Sequence, residues 1–222
     1  MLFPYKDDNP RVMVPYVTYT IFGINLAVFL LQTISTREFT WYFGVVPVTL
    51  STDFGHYTMT LFTSMFLHGG FMHLGGNMLY LWIFADNIES VLGHTKFVTF
   101  YLACGLAAGI LQTAIDPASE IVVIGASGAI AGILGAYMIT FPKARVHTVA
   151  FLFYYITTLR IPAAYVLGFW FLIQLTNGLG TLGLDTTGGV AWFAHIGGFV
   201  AGVGLILLLK QIKIEKQWPL KN

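Results

Sequence analysis

Charge is what this chain has least of. Of its 222 residues only 9% are Asp, Glu, Lys or Arg, whereas 56% are hydrophobic. Soluble domains carry roughly a quarter charged residues and no apolar runs of about twenty. The shortage excludes an ordinary soluble globule and leaves a polytopic membrane protein, of a length that suits one domain. An excess of one sign is missing too. A formal net charge of +1 offers no broad field for a polyanion, so nucleic acid is not an expected partner. Cys104 is the single cysteine. It excludes an internal disulfide, and a small buried hydrophobe needs no further role. A cleavable signal is also absent. Lys6, Asp7, Asp8 and Arg11 precede the first apolar run, but that run is long and no Ala-x-Ala site follows, so it reads as a permanent helix.

Hydrophobic runs are what the chain does have. An all-α fold of six transmembrane helices is expected, each near the roughly 20 residues a bilayer requires. The spans fall at about Tyr16–Ile34, Met72–Leu92, Phe97–Ile115, Ser127–Phe141, Ile161–Leu175 and Val190–Leu209. Pro142 cannot continue the fourth. Residues 145–160 are apolar as well, and read either as a longer fifth helix or as an interfacial segment. The domain then divides into an N-terminal segment 1–15, a membrane domain 16–209 and a basic tail 210–222. In this scheme Lys6, Arg11, Lys96, Lys143, Arg145, Arg160, Lys210, Lys213, Lys216 and Lys221 share one side, and only Arg37 falls on the other. The positive-inside rule places both termini in the cytoplasm. The first connection, about Ser35–Phe71, is long and aromatic, with Trp41, Tyr42, Phe43, Phe54, Tyr57, Phe62 and Phe66. It reads as a loop lying partly in the outer interface, with a seventh span as the alternative.

Packing explains two residues poorly. Ser127 stands in Gly125-Ala126-Ser127-Gly128 and His195 in Ala194-His195-Ile196-Gly197-Gly198, each at or near the start of an apolar run. Polar groups at membrane depth are costly and mark sites or pathways. Alone, Ser127 could cap a helix or bond a carbonyl, and His195 could be a structural histidine. Together they read as a nucleophile and its general base. Gly125 and Gly128 expose the hydroxyl, and a helix start presents N–H groups and a positive dipole end to a developing oxyanion. Small residues at four-residue spacing, Gly128/Gly132 and Gly198/Gly202, would let helices four and six approach closely and bring the pair together. Gly105/Gly109 repeats the spacing, and packing suffices to explain it.

A third element is His68-Gly-Gly-Phe-Met-His73-Leu-Gly-Gly-Asn77. His73 and Asn77 share one helical face and could both donate to an oxyanion; a plain polar helix start is the rival reading. His68 is expected at a polar mouth that admits water. A metal site from His68, His73 and His195 is disfavoured, because the spacing is not His-Glu-x-x-His and no carboxylate lies beside them. Neither metal nor cofactor is expected. No acid lies at the depth of Ser127 and His195, since Asp86 and Glu89 fall toward the other end of helix two, while Asp116 and Glu120 lie in a loop. The arrangement is a dyad at most.

In this order the three motifs resemble those of the rhomboid intramembrane serine proteases, over roughly residues 16–209. The resemblance implies a rhomboid-like six-helix fold, with Ser127 as nucleophile and His195 as base. It implies an oxyanion hole of His73, Asn77 and the Ser127 N–H, and lateral access past a gate and cap formed by helix five and Asn177–Gly189. The implied partners are transmembrane protein substrates with small residues and weak helicity near the cut, met inside the lipid bilayer. The chain departs from the family twice. Many rhomboids carry a Trp-Arg pair in the first long loop, where Met59-Thr60 stands here. Some place a tyrosine one turn after the serine, stacked on the histidine, where Ala131 stands here. Non-proteolytic relatives that bind or escort transmembrane clients are the alternative function, but these typically lack the serine or histidine that this chain keeps. A transporter would show repeated halves with paired broken helices. The absence of a transit peptide favours a prokaryotic plasma membrane, with the site opening away from the cytoplasm.

Overall fold

The computed structural model describes residues 2–152, 155–183 and 189–210. In chain order these form β1 (Leu2–Asp7), α1 (Tyr16–Ile34), α2 (Arg37–Phe43), α3 (Thr49–Thr52), α4 (Phe54–Thr63) and a 3₁₀ turn (Ser64–Phe66). There follow α5 (Phe71–Leu92), α6 (His94–Ile115), α7 (Ser127–Thr140), β2 (Arg145–Leu152), β3 (Tyr155–Pro162), α8 (Ala163–Thr181) and α9 (Trp192–Lys210). The protein is a mostly helical, polytopic membrane protein. Among the described residues, four helices are long and apolar enough to cross a membrane: α1, α6, α8 and α9. Of the other two expected spans, α7 is apolar but has only 14 residues, and α5 has 22 and carries Asp86 and Glu89 near its C-terminal end.

The buried centre is α7. Every residue from Gly128 to Tyr137 is buried, which suits a helix without charge or large polar groups on any face. α5, α6, α8 and α9 pack around it. Its contact with α9 is a direct backbone approach. A Cβ at Gly198 would collide with the Gly128 carbonyl, and one at Gly202 with the Gly132 carbonyl. Gly128 and Gly132 in turn admit Ala108 and Cys104 of α6. Small residues thus seat α7 between two helices at backbone distance.

Residues 145–160 correct the sequence expectation. The longer fifth helix is not formed: Arg145–Leu152 and Tyr155–Pro162 make the antiparallel pair β2–β3, with Arg145 opposite Pro162. β1 joins on the far side of β2 to make a three-stranded sheet in the order β1-β2-β3. The reason is in the residues: Val146, Thr148, Val149, Ile156, Thr157, Thr158 and Ile161 are β-branched and prefer a pleated strand. Pro142 and Pro162 on the flanks separate the pair from the helices. The fold is therefore not purely α-helical. The first connection is likewise divided into short helices of at most ten residues, none of which spans.

Two carboxylates at the sheet end, buried Glu89 and half-buried Asp7, tie elements together. Glu89 accepts from the Val17 and Thr18 N–H groups at 2.9 and 2.8 Å and from Thr18 Oγ1 at 2.6 Å. It serves the start of α1, where Pro15 supplies no cap of its own. Asp7 of β1 accepts from Tyr137 Oη at 2.5 Å and from Asn87 Nδ2 at 3.1 Å. Burial pushes the Asp7 carboxyl up to about 6, with the Asp86 and Asp8 charges adding to it and the Tyr137 hydrogen bond opposing. The sheet joins the C-terminal end of α7 to the N-terminal end of α8, so it lies at the end opposite Ser127.

Candidate active site

The other end of the bundle gathers the starts of α5, α7 and α9. Here His195 Nε2 lies 2.8 Å from Ser127 Oγ. Ser127 is the first residue of α7 and His195 the fourth of α9, and the Gly128–Gly198 approach one turn below sets the distance between the helices. In that first turn the N–H groups have no intrahelical acceptor and the dipole is positive.

His73 stands across from Ser127. Its Nδ1 accepts from the Gly69 N–H at 3.2 Å, so the ring proton of neutral His73 is on Nε2. That Nε2 faces Gly125: a Cβ there would lie 2.8 Å from it. Gly125 is required twice, by this closeness and by its φ of +130°, and its N–H is bonded to Ser64 O at 2.9 Å. Asn77, one turn after His73, is buried, and among the described residues its Nδ2 has no hydrogen-bond partner. Buried amide donors are nearly always paired in folded proteins; this one lines the same cleft as Ser127 and His195. The cleft, of about 1050 Å³, is also lined by Met72, His73, Gly76, Gln112, Trp170 and Trp192.

Five expected site residues therefore meet at one place: Ser127, His195, His73, Asn77 and Gly125. Gly128 serves from behind, as the seat for α6 and α9. His68 stands apart. It is 3% exposed, its ring packs edge-on against His73 at 5.1 Å, and it lines a smaller cavity of about 470 Å³ with Gln32, Arg37 and Trp41. Burial and then the neighbouring His73 lower its pKa to about 4. Among the described residues no group of three or more His, Cys, Asp or Glu is placed to hold a metal. The expected cap Asn177–Gly189 lies partly outside the described residues, which break at 183 and resume at 189, as does the tail beyond 210.

The first connection is held without a Trp-Arg pair. Val45 and Val123 exchange backbone hydrogen bonds at 3.0 and 2.7 Å, Val48 N–H donates to Ser119 O at 3.1 Å, and Val45, Tyr57 and Leu61 bury one another. These bonds fix the strand of chain that leads into Ser127.

Sequence reasoning missed three residues. Gln174 Oε1 lies 2.8 Å from His195 Nδ1, Trp170 lies against the His195 ring at 5.7 Å and 36°, and Gln112 Oε1 accepts from the Ala194 N–H at 3.1 Å. Gln174 sat inside an apolar span, where a polar side chain is itself a signal.

Against known proteins, residues 55–212 match the family model described as the Rhomboid domain. Rhomboid protein 1, mitochondrial, of Saccharomyces cerevisiae is 30% identical over 148 residues, 65% of this chain and 41% of that protein. RHOMBOID-like protein 6, mitochondrial, of Arabidopsis thaliana is 31% identical over 161 residues, 70% of this chain and 46% of that protein. Putative rhomboid protease YdcA of Bacillus subtilis is 37% identical over 78 residues, 35% of this chain and 39% of that protein. The chain thus spans less than half the length of these relatives. The family model covers most of the chain, taking in α5 through α9 with Ser127, His195 and the His73–Asn77 turn, and on that match this integral membrane protein belongs to the rhomboid family.

Proposed function

We propose that the chain is an intramembrane serine endopeptidase acting on transmembrane protein segments. The 2.8 Å contact between His195 Nε2 and Ser127 Oγ, at a helix start inside a cleft, carries this reading. Ser127 Oγ attacks the scissile carbonyl carbon while His195 Nε2 takes the hydroxyl proton. The oxyanion is met by His73 Nε2–H, Asn77 Nδ2–H and the Ser127 N–H. The C–N bond breaks, the amine leaves with the proton from His195, and an acyl ester remains on Ser127. Water then attacks the ester, His195 takes its proton, and the proton returns to Ser127 Oγ as the acid leaves. An extended substrate backbone is required, because a helix shields its peptide bonds. The positive-inside bias puts the sheet end and both termini in the cytoplasm and opens the cleft to the other side.

The test is cleavage of a single-span protein by the purified chain in detergent, beside S127A and H195A. Wild-type cleavage that falls by about 10³-fold or more in both variants is the expected result. Cleavage surviving in S127A would overturn the assignment.

A further inference from the structure

Among the described residues no carboxylate stands behind His195, and α8 supplies what stands there instead. We propose that Gln174 is the positioning residue of His195: its side-chain oxygen accepts the Nδ1 proton and so keeps Nε2 bare toward Ser127. This rests on the proposed role of His195 as base.

Three observations carry it. The first is distance: Gln174 Oε1 to His195 Nδ1 is 2.8 Å, equal to the contact on the other side of the ring. The second is the orientation of the amide. Gln174 Nε2 donates to the Trp170 carbonyl at 3.1 Å, so a flipped amide would turn its oxygen onto that carbonyl and its NH₂ onto Nδ1. The donor end is committed elsewhere, which leaves the oxygen for the ring, and an imidazole facing an acceptor at Nδ1 carries its proton there. The third is burial. Gln174 is 4% exposed, so water does not compete for either end. Trp170, one turn earlier on α8, lies on the ring face and limits its rotation. An amide and an indole from one helix turn thus orient the ring as an aspartate does in a triad, without its charge.

The buried residues of α8 are Ala163, Leu167, Gln174 and Gly178, a stripe one residue wide. α8 also docks through Val166, Trp170 and Phe171, and Phe171 stacks on Phe199 at 4.2 Å. Gln174 is the polar member of that stripe, so it reaches His195 from the face of α8 that docks.

The test has two readouts. In ¹⁵N-histidine-labelled protein, with His195 assigned by loss of its signal in H195Q, the wild type should show Nδ1 protonated and Nε2 bare. Q174L should lose that fixed tautomer. This readout needs no turnover, so it stands apart from the proteolytic reading. In cleavage assays Q174L should lower kcat on the order of 10–100-fold with KM within about twofold, and melting temperature controls for folding. Q174E keeps the acceptor but adds a charge. Among the described residues the groups around His195 are Ser127 from α7, His73 from α5 across the cleft, Gln112 from α6 at the neighbouring Ala194 N–H, and Trp170 and Gln174 from α8. A carboxylate among them favours imidazolium, so the acid limb of kcat should move to higher pH by about one unit. A structural role would leave that limb in place. An unchanged tautomer in Q174L, or a Q174E profile superposed on the wild type, overturns the proposal. Absence of Ser127-dependent cleavage in the wild type would instead overturn the proteolytic reading and leave the tautomer result to decide this one.

Discussion

Gly198→Ala should separate function from fold in a measurable way. The Gly198 Cα faces the Gly128 carbonyl so closely that a Cβ would overlap its oxygen and crowd its carbon. Both obstacles are backbone and cannot rotate away, so α7 and α9 must part by on the order of 1 Å. Ser127 is next to Gly128, and His195 lies three residues before Gly198. The same displacement stretches their 2.8 Å contact to about 3.8 Å, beyond hydrogen-bond reach. Overpacking costs about 1–3 kcal/mol, against a helix-propensity gain of about 1 kcal/mol for Gly→Ala, which leaves a net loss of about 1 kcal/mol. Misplacing reacting groups by about 1 Å costs about 100-fold in rate. The control is Gly204→Ala on the same helix, where nothing lies within 4 Å of the new Cβ and only the propensity gain applies. Melting temperature and cleavage rate in one detergent give both numbers. A G198A protein as active as wild type, with G204A unchanged, would refute the claim that this glycine contact sets the distance between Ser127 and His195.

Asn77→Ala removes an amide whose buried donor has no hydrogen-bond partner among the described residues. Stability should hold or rise slightly while kcat falls by about 10²–10³; a fall in melting temperature with unchanged kcat would mark Asn77 as structural. Gly125→Ala meets both a φ of +130° and His73 at 2.8–2.9 Å, so it should cost about 2 kcal/mol and at least tenfold in rate; an active, stable variant would contradict the crowding. Asp7→Asn should act through pH. Burial raises the folded carboxyl to about 6 from 3.8, so the folded state holds the proton more tightly than the unfolded one. The stabilisation from that proton is present in full below about pH 4 and is lost as pH rises through 6. Two pKa units correspond to about 3 kcal/mol, or about 2 after discounting for partial exposure. D7N should therefore melt higher than wild type at pH 8 and level with it at pH 4. Equal differences at the two pH values would refute the coupling.

The membrane class and the meeting of Ser127 with His195 were legible because the signals were local: apolar length, a serine and a histidine with no apolar reason to be there, and glycine pairs beside each. α1 matched its expected span from Tyr16 to Ile34 because both ends coincide with a change of hydropathy. The longer-helix alternative for 145–160 fails because apolarity alone does not separate helix from strand, whereas the Val, Ile and Thr content of the stretch does. Gln174 was missed for a different reason. A side chain whose value lies in a partner 21 positions away leaves no spacing to detect, and only the docking of α8 on α9 brings the two together. The same holds for Asp7 and Tyr137, 130 positions apart.

The choice of an amide behind the histidine follows from where the site lies. A carboxylate taken from water into a low-dielectric interior costs several kcal/mol even after relaxation, and in a membrane interior no bulk water is at hand to reduce that. Among the described residues the side chains set against Ser127 and His195 are imidazole, amide and indole groups, with Asp116 further along the cleft lining and the charged residues of α5 gathered at that helix's other end. Such a site gives up the imidazolium stabilisation that an aspartate would provide in the transition state. What it retains is geometry, since the ring is fixed by a committed amide and the indole of Trp170. On the proposed mechanism the developing negative charge falls to the start of α7 and the donors of His73 and Asn77. If that division of labour holds, Q174E should not rescue a slow enzyme: it supplies the missing charge, but in a pocket shaped for a neutral group, and imidazolium formed before substrate arrives cannot take the Ser127 proton. Its rate at neutral pH should therefore fall below wild type and recover as pH rises, whereas a pocket indifferent to charge would give the wild-type rate throughout.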